Sequence, residues 1–124
     1  MLTLALLLSQ NEVCLEIESN PYPNNPALGC FTKYINVLDC FGVYAQSGIS
    51  DEKALHVAAV AAELLDNNED GVVDDENIFN SLQSNNALMP VFTSNESSCM
   101  DDFEDYYNGD GVSAVLFRNE IDPS

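Results

Sequence analysis

The feature that most constrains the fold is a long apolar, helix-forming stretch that runs directly into a cluster of acidic residues. Residues 54–65 are rich in alanine and contain neither glycine nor proline. Their apolar side chains recur every three or four positions, which places them on one face of a helix. Ser50 or Asp51 is suited to cap the N-terminus, and Asp51 and Glu52 favour its positive end. Because the apolar surface is so wide, we predict a largely buried helix at the centre of the core.

The twelve residues that follow, 66–77, contain six carboxylates and no basic residue. Short oxygen-bearing side chains alternate along the first half, so one tight turn can point several oxygens inward. Gly71 lies where this turn is sharpest and where a side chain would obstruct it. Calcium is a hard cation that takes about six to eight oxygen ligands. The segment therefore predicts a calcium site.

This segment resembles the calcium-binding loop of EF-hand proteins, whose ligands lie at positions 1, 3, 5, 7, 9 and 12. The resemblance implies the following ligands in this chain: Asp66, Asn68, Asp70, the Val72 carbonyl, Asp74 and Asn77. Val73, at position 8, is expected to attach the loop to the core. A second helical pattern covers residues 75–84, so the segment 51–84 has the helix–loop–helix frame of an EF-hand.

One position departs from the EF-hand pattern. Position 12 is Asn77, which offers one neutral oxygen where the usual Glu offers two charged ones, and Glu76 is the alternative closing ligand. We therefore expect weak affinity, with a dissociation constant of about 10⁻⁴–10⁻³ M. Residues 108–111 contain a similar Gly-Asp-Gly sequence but fail the ligand spacing, so no second loop is predicted. A single weak loop is typical of a structural calcium site rather than a sensor.

The negative charge is concentrated in the second half of the chain. The net charge is −18, and residues 63–124 hold fifteen acidic residues against Arg118 alone. An excess of carboxylates repels itself and opposes compaction, so a bound divalent cation would offset it. The same charge argues against partners that carry phosphates, both nucleic acids and anionic membrane surfaces. No apolar run approaches about 20 residues, so we predict no membrane insertion.

Several features favour a secreted protein. The four cysteines are Cys14, Cys30, Cys40 and Cys99, and their even number without zinc-like spacing predicts two disulfides in one of three connectivities. Asn95-Glu-Ser97 is an acceptor sequence for N-glycosylation. Residues 1–9 are apolar and suggest the remnant of a signal peptide, although they lack a basic start and a clear cleavage site.

The predicted fold is a small, single, acidic α+β domain over residues 10–124. Strands are expected at 34–38, 41–45, 87–93 and 112–117, because these segments are rich in apolar, β-branched or aromatic residues. Pro90 indicates that its strand lies at an edge or a bend. The polar segment 94–111 is interpreted as a loop.

Two further hypotheses concern function. Residues 51–71 resemble a segment of poorly characterised secreted proteins that combine a His-Ala-Ala helix with a Leu-Asp-Asn loop. That resemblance implies a chain that continues past Ser124. The first hypothesis is therefore that the chain is the N-terminal fragment of an enzyme, a metal-dependent hydrolase whose catalytic residues lie outside it. His56 is the only histidine and has no zinc-like partner, so no catalytic residue is assigned. The second hypothesis is an acidic interaction module without a bound ion and with an unknown protein partner.

Overall fold

The computed structural model describes residues 15–112 and 114–121, which form a four-stranded sheet and three α-helices. In chain order the elements are β1 (Lys33–Val37), β2 (Phe41–Ala45), α1 (Asp51–Leu65), α2 (Glu76–Ser84), β3 (Leu88–Phe92), α3 (Ser98–Tyr106), β4 (Leu116–Phe117) and a short 3-10 turn over Arg118–Glu120. The α+β fold predicted from the sequence is confirmed.

The sheet is mixed, with its strands in the spatial order β1-β2-β3-β4. β1 and β2 form an antiparallel hairpin, whose turn has positive φ angles at Leu38 and Asp39. That left-handed conformation matches the twist of the two strands. β2–β3 and β3–β4 are parallel pairs. Parallel strands need long crossover connections, so α1 and α2 join the first pair and α3 joins the second.

The sheet separates two hydrophobic clusters. Phe41, Val43 and Ala45 of β2 belong to the cluster that contains the buried side chains of α1. Tyr44 belongs to the second cluster, which contains Phe103 of α3. Because alternate side chains of a strand point to opposite faces, α1 and α3 pack on opposite sides of the sheet.

The helix α1 is buried along a narrower face than the sequence predicts. Ser50 caps it, as expected, by accepting a hydrogen bond from the Lys53 amide. The residues that are buried lie along one stripe: Ala54, Val57, Ala58, Ala61 and Ala62. Val60 is exposed, and Leu64 is 77% exposed. Apolar periodicity records which residues can be buried, but the burial itself depends on which neighbours pack against the helix.

The strand β3 contains Pro90, which has no N–H to donate to a neighbouring strand. The amide of Leu88 donates to the Gly111 carbonyl at 2.8 Å, and β4 pairs only with Val91 and Phe92. Pro90 falls between these two contacts. The predicted edge position is wrong, because β3 lies between β2 and β4, and a bend at this residue stays a prediction.

The helix α3 corrects the prediction that residues 94–111 form a loop. Ser97 caps this helix by accepting a hydrogen bond from the Met100 amide at 3.1 Å. Cys99 and Phe103 are buried at a spacing of four residues, and Tyr107 stacks on Phe103. The four acidic residues of α3 dominate its composition and obscured this apolar stripe, which is the signal that predicts a helix.

The cysteines form a single disulfide among the described residues, between Cys30 and Cys99. It links the segment before β1 to the first turn of α3. Cys40 is buried with a free thiol, and burial, followed by the nearby charge of Asp39, raises its pKa. Cys14 lies outside the described residues, as does the predicted signal-peptide remnant at 1–9. Within the described part of the chain, no helix has the length and apolarity needed to cross a membrane.

The disulfide should contribute strongly to stability. It closes a loop of 69 residues in the unfolded chain, and chain-entropy arguments assign such a loop about 4 kcal/mol. We expect reductant to lower the free energy of unfolding by about this amount, measured by urea denaturation followed by circular dichroism. The double variant Cys30→Ala/Cys99→Ala should have a lower free energy of unfolding without reductant, and reductant should lower it far less than in the wild-type protein. Equal losses in both proteins would contradict this assignment.

Candidate metal site

The acidic loop lies between α1 and α2 and is continuous with both helices. Asp66 is the C-terminal cap of α1, and its amide donates to the Ala62 carbonyl. Asp75 caps α2, because its carboxylate accepts hydrogen bonds from the amides of Asn77 and Ile78. Ten residues therefore separate the two helices, and the predicted ligands lie at both helix ends and between them.

Asp66 is the one charged residue that is buried in the described structure. Its side chain is 1% exposed. One carboxylate oxygen accepts a hydrogen bond from the Gly71 amide at 2.7 Å, and the other accepts from the Asp70 amide at 3.3 Å. A carboxylate offers about four lone-pair sites, so both oxygens retain acceptor capacity. The loop backbone thus wraps around a buried anion.

The turn around Asp66 depends on unusual backbone conformations. Gly71 has a φ of +85° and Glu69 a φ of +58°. Both angles lie in the left-handed region that glycine adopts readily and other residues adopt at a cost. At position 71 this conformation points the amide at Asp66, as required for the 2.7 Å hydrogen bond.

Three further predicted ligands orient the loop through their own side chains. Asn68 accepts from the Asp70 amide at 3.3 Å, Asp70 accepts from the Val72 amide at 3.0 Å, and Asp74 accepts from the Asn67 amide at 2.9 Å. Each of these contacts uses one oxygen. In the described structure the second carboxylate oxygens of Asp70 and Asp74 accept no hydrogen bond, and both residues are exposed. They remain available for a cation.

Val73 attaches the loop to the core, as the sequence predicts. Its side chain is buried in the cluster on the α1 side of the sheet. The neighbouring Asp74 amide donates to the Leu65 carbonyl at 2.8 Å, which ties the second half of the loop to the end of α1. Val72 is exposed, so its carbonyl belongs to the surface of the loop.

The two residues that compete to close the loop both lie in the first turn of α2. Glu76 is its first residue and Asn77 its second, and both are exposed. Among residues 15–112 and 114–121, no three Asp, Glu, His or Cys side chains lie close enough to hold a metal ion. The predicted oxygens therefore share one loop but are not gathered around one point.

No basic residue balances the loop. The chain has three Lys and Arg residues. Lys33 forms an ion pair with Asp51 at 2.9 Å, the one such pair among the described residues, and also donates to the Ile49 carbonyl. Lys53 donates to the Arg118 carbonyl at 2.8 Å. None of the six carboxylates of the loop thus forms an ion pair within the described part of the chain.

Other potential ligands lie elsewhere. His56 is ten residues before Asp66, which corresponds to about 15 Å along α1, and it lines an apolar groove with Leu64 and Met89. The acidic residues of α3 are exposed and lie across the sheet from α1. Neither group is brought to the loop.

Comparison of the chain with protein-family models, with curated proteins and with solved structures gives no match. The resemblance to EF-hand loops and to the secreted family therefore stays a prediction.

The left-handed conformation at Gly71 leads to a stability prediction. A Cβ atom at this position meets no atom within 4 Å, so substitution brings no clash and tests the backbone angle alone. We expect Gly71→Ala to lower the free energy of unfolding by about 1–2 kcal/mol. Gly71→Asn should cost less, because Asn tolerates this region. Urea denaturation in EDTA measures both, and an unchanged Gly71→Ala protein would contradict the observed conformation.

Proposed function

We propose that this protein binds one calcium ion at the loop 66–77 and that the ion has a structural role. The observation that carries the proposal is the buried carboxylate of Asp66, which accepts hydrogen bonds from two backbone amides, keeps spare acceptor capacity and has no cationic partner among the described residues. A buried charge without a partner is costly, and a cation removes that cost. The proposed ligands are Asp66, Asn68, Asp70, the Val72 carbonyl, Asp74 and Asn77 or Glu76.

The chemistry of these groups supports calcium over other metals. All are oxygen donors, and half are carboxylates, which suits a hard cation. The tie between Asp74 and Leu65 keeps the second half of the loop near Asp66. Calcium accepts flexible coordination with about six to eight ligands, whereas magnesium demands a near-ideal octahedron. An exposed loop with mixed carboxylate, amide and carbonyl oxygens suits the flexible coordination of calcium better than the octahedron of magnesium.

Binding in this proposal requires a local rearrangement. Asp70 and Asp74 must turn their free oxygens towards Asp66, and the first turn of α2 must supply Asn77 or Glu76. These residues are exposed, so the movement disturbs no core packing. The mutual repulsion of the loop carboxylates resists it until a cation is present. Calcium would therefore order the loop, and its binding free energy would appear as folding stability.

We also propose that the protein works in an oxidising, extracellular compartment. The Cys30–Cys99 disulfide is compatible with such a location. Asn95 is exposed and lies in the turn before α3, where a glycan would meet solvent. Extracellular calcium is abundant, so a site with a dissociation constant of about 10⁻⁴–10⁻³ M would be filled there.

Thermal and urea unfolding with and without calcium test the site. When calcium exceeds the dissociation constant about ten- to a hundredfold, we expect about 1.4–2.7 kcal/mol of stabilisation. Asp70→Asn should lose most of this gain, because it removes a charge but keeps the oxygen that accepts from Val72. Asp66→Asn should lose it as well.

The matched control for these variants is Asp102→Asn. It removes the same charge from an exposed position on α3, across the sheet from the loop. We expect it to keep the full response to calcium. Equal responses in Asp70→Asn, Asp66→Asn and Asp102→Asn would show that calcium acts on net charge rather than at the loop. No response in the wild-type protein would overturn the proposal.

The location can be tested through Asn95. Expression through a eukaryotic secretory pathway should add a glycan that peptide-N-glycosidase removes, seen as a mass shift. Asn95→Gln should abolish the shift and leave stability unchanged. This substitution is preferable to Ser97→Ala, because Ser97 also caps α3 and its loss would destabilise that helix. An unmodified but well secreted wild-type protein would contradict glycosylation at this position.

A further inference from the structure

The five tyrosines of the chain converge on one surface pocket. They come from four separate places in the sequence, since two of them are adjacent, yet all line a cavity of about 590 Å³ on the α3 side of the hairpin: Tyr22, Tyr34, Tyr44, Tyr106 and Tyr107. The volume lies within the range of about 300–1,000 Å³ that is usual for small-molecule sites. All the tyrosines of this 124-residue chain line one pocket. This clustering indicates a binding site that uses their rings and hydroxyls.

The floor of this pocket, which we name the tyrosine pocket, is made by β1 and β2. The rings of Tyr34 and Tyr44 lie 5.0 Å apart, tilted by 58°. Gly42 lies beneath them, and a Cβ atom there would come within 2.9 Å of the Tyr34 ring and 3.2 Å of the Tyr44 ring. Because Gly42 has no side chain, both rings can pack over its backbone in the floor of the pocket.

The hydroxyl of Tyr44 lacks a partner within the described protein. Tyr44 is 5% exposed, yet its hydroxyl forms no hydrogen bond to another described residue, and buried hydroxyls normally have one. The Tyr107 hydroxyl, by contrast, accepts from the Gly111 amide at 2.9 Å. Burial, followed by the neighbouring Tyr34, raises the pKa of Tyr44, so this hydroxyl is a neutral donor and acceptor. The Tyr44 hydroxyl is therefore available to form a hydrogen bond with a ligand in the pocket.

The rim of the tyrosine pocket adds aromatic surface and amides. Tyr22 and Tyr106 are 55% and 59% exposed. The amide side chains that line the pocket are Asn25, Asn36, Gln83, Asn85, Asn86 and Asn108. Asn86 and Asn108 make no side-chain hydrogen bond to other described residues, so each can both donate and accept. Asp39 is the one acidic residue among the described residues that line the pocket, and none of them is basic.

We propose that the tyrosine pocket binds a neutral oligosaccharide. A sugar ring presents an apolar C–H face that packs on an aromatic ring, and hydroxyls that both donate and accept hydrogen bonds, as amides and the tyrosine hydroxyl do. A simple ammonium cation offers no acceptor, so it leaves the amide N–H groups of the pocket without partners. Anionic ligands are repelled by a net charge of −18. The pocket does not include the residues of the acidic loop, so this inference stands apart from the calcium proposal.

Tyrosine fluorescence reports binding directly, because the chain contains no tryptophan. The full-length protein is titrated with maltotriose, cellotriose, mannotriose and chitotriose up to millimolar concentrations, with tetramethylammonium as a cationic probe. We expect at least one trisaccharide to change the emission saturably. No response to any of the four would overturn the proposal, as would saturable binding of tetramethylammonium alone.

Variants then locate the site by calorimetric titration with the trisaccharide that binds. Tyr22→Ala and Tyr106→Ala remove exposed rings and should weaken binding roughly threefold to tenfold. Leu64→Ala is the control, because Leu64 is also an exposed apolar residue but lies on the outer face of α1. We expect its affinity to equal that of wild type. A loss in Leu64→Ala equal to that in the tyrosine variants would overturn the location.

Tyr44→Phe separates a role in binding from a role in the fold. It removes only the hydroxyl and keeps the ring in the floor. We expect affinity to fall roughly twofold to tenfold, while the melting temperature stays at or above that of wild type, because no described residue loses a hydrogen bond. A lower melting temperature with unchanged affinity would mean that the hydroxyl serves the fold, which would overturn its assignment to the ligand.

Discussion

The parallel pairing of β2 with β3 is the constraint on which the rest of the structure depends. Two parallel neighbours cannot be joined by a tight turn, so the chain must leave the sheet, cross one face and return. The crossover is made of α1, the acidic loop and α2, and it forms the hydrophobic cluster on that face. The second parallel pair, β3 with β4, imposes the crossover through α3 on the other face. The acidic loop is therefore the midpoint of an obligatory connection, fixed at both ends by helices.

The position of the loop also determines which of its carboxylates is buried and what can compensate that charge. Val73 and the Leu65 carbonyl hold it against the core, which forces Asp66 out of water while its neighbours stay exposed. Two backbone amides donate hydrogen bonds to the Asp66 carboxylate, but hydrogen bonds from neutral donors do not cancel its charge. The rest of the chain is too acidic to help. Lys33 is paired with Asp51 at the N-terminus of α1, and Lys53 donates to the Arg118 carbonyl in the 3-10 turn. An external cation is the remaining means of compensation.

Local chemistry made much of this predictable from the sequence. The strand 41–45, the helix that begins at Asp51 and the helix after Asp75 follow from β-branched content, capping residues and apolar spacing, and the structure has all three. The loop was visible because its ligand candidates are adjacent in sequence. The helix α3 was missed because four carboxylates outweighed the spacing of Cys99 and Phe103. The tyrosine pocket could not be predicted for a different reason: its five tyrosines come from four separate places in the sequence, and only the sheet and the α3 crossover bring them together.

The two candidate sites are related through α2. This nine-residue helix has no fully buried residue, and it packs on the core cluster through the partly buried Phe79 and Leu82. Its N-terminus is capped by Asp75 within the acidic loop, and near its C-terminus Gln83 donates to the Asp39 carbonyl at 3.2 Å, beside the tyrosine pocket. Nine residues span about 13 Å. A cation that orders the loop would thus restrain a helix whose other end lies at the pocket rim. Linkage makes any such effect reciprocal, because a ligand that restrains Gln83 and Asn85 would favour the ordered loop by the same free energy.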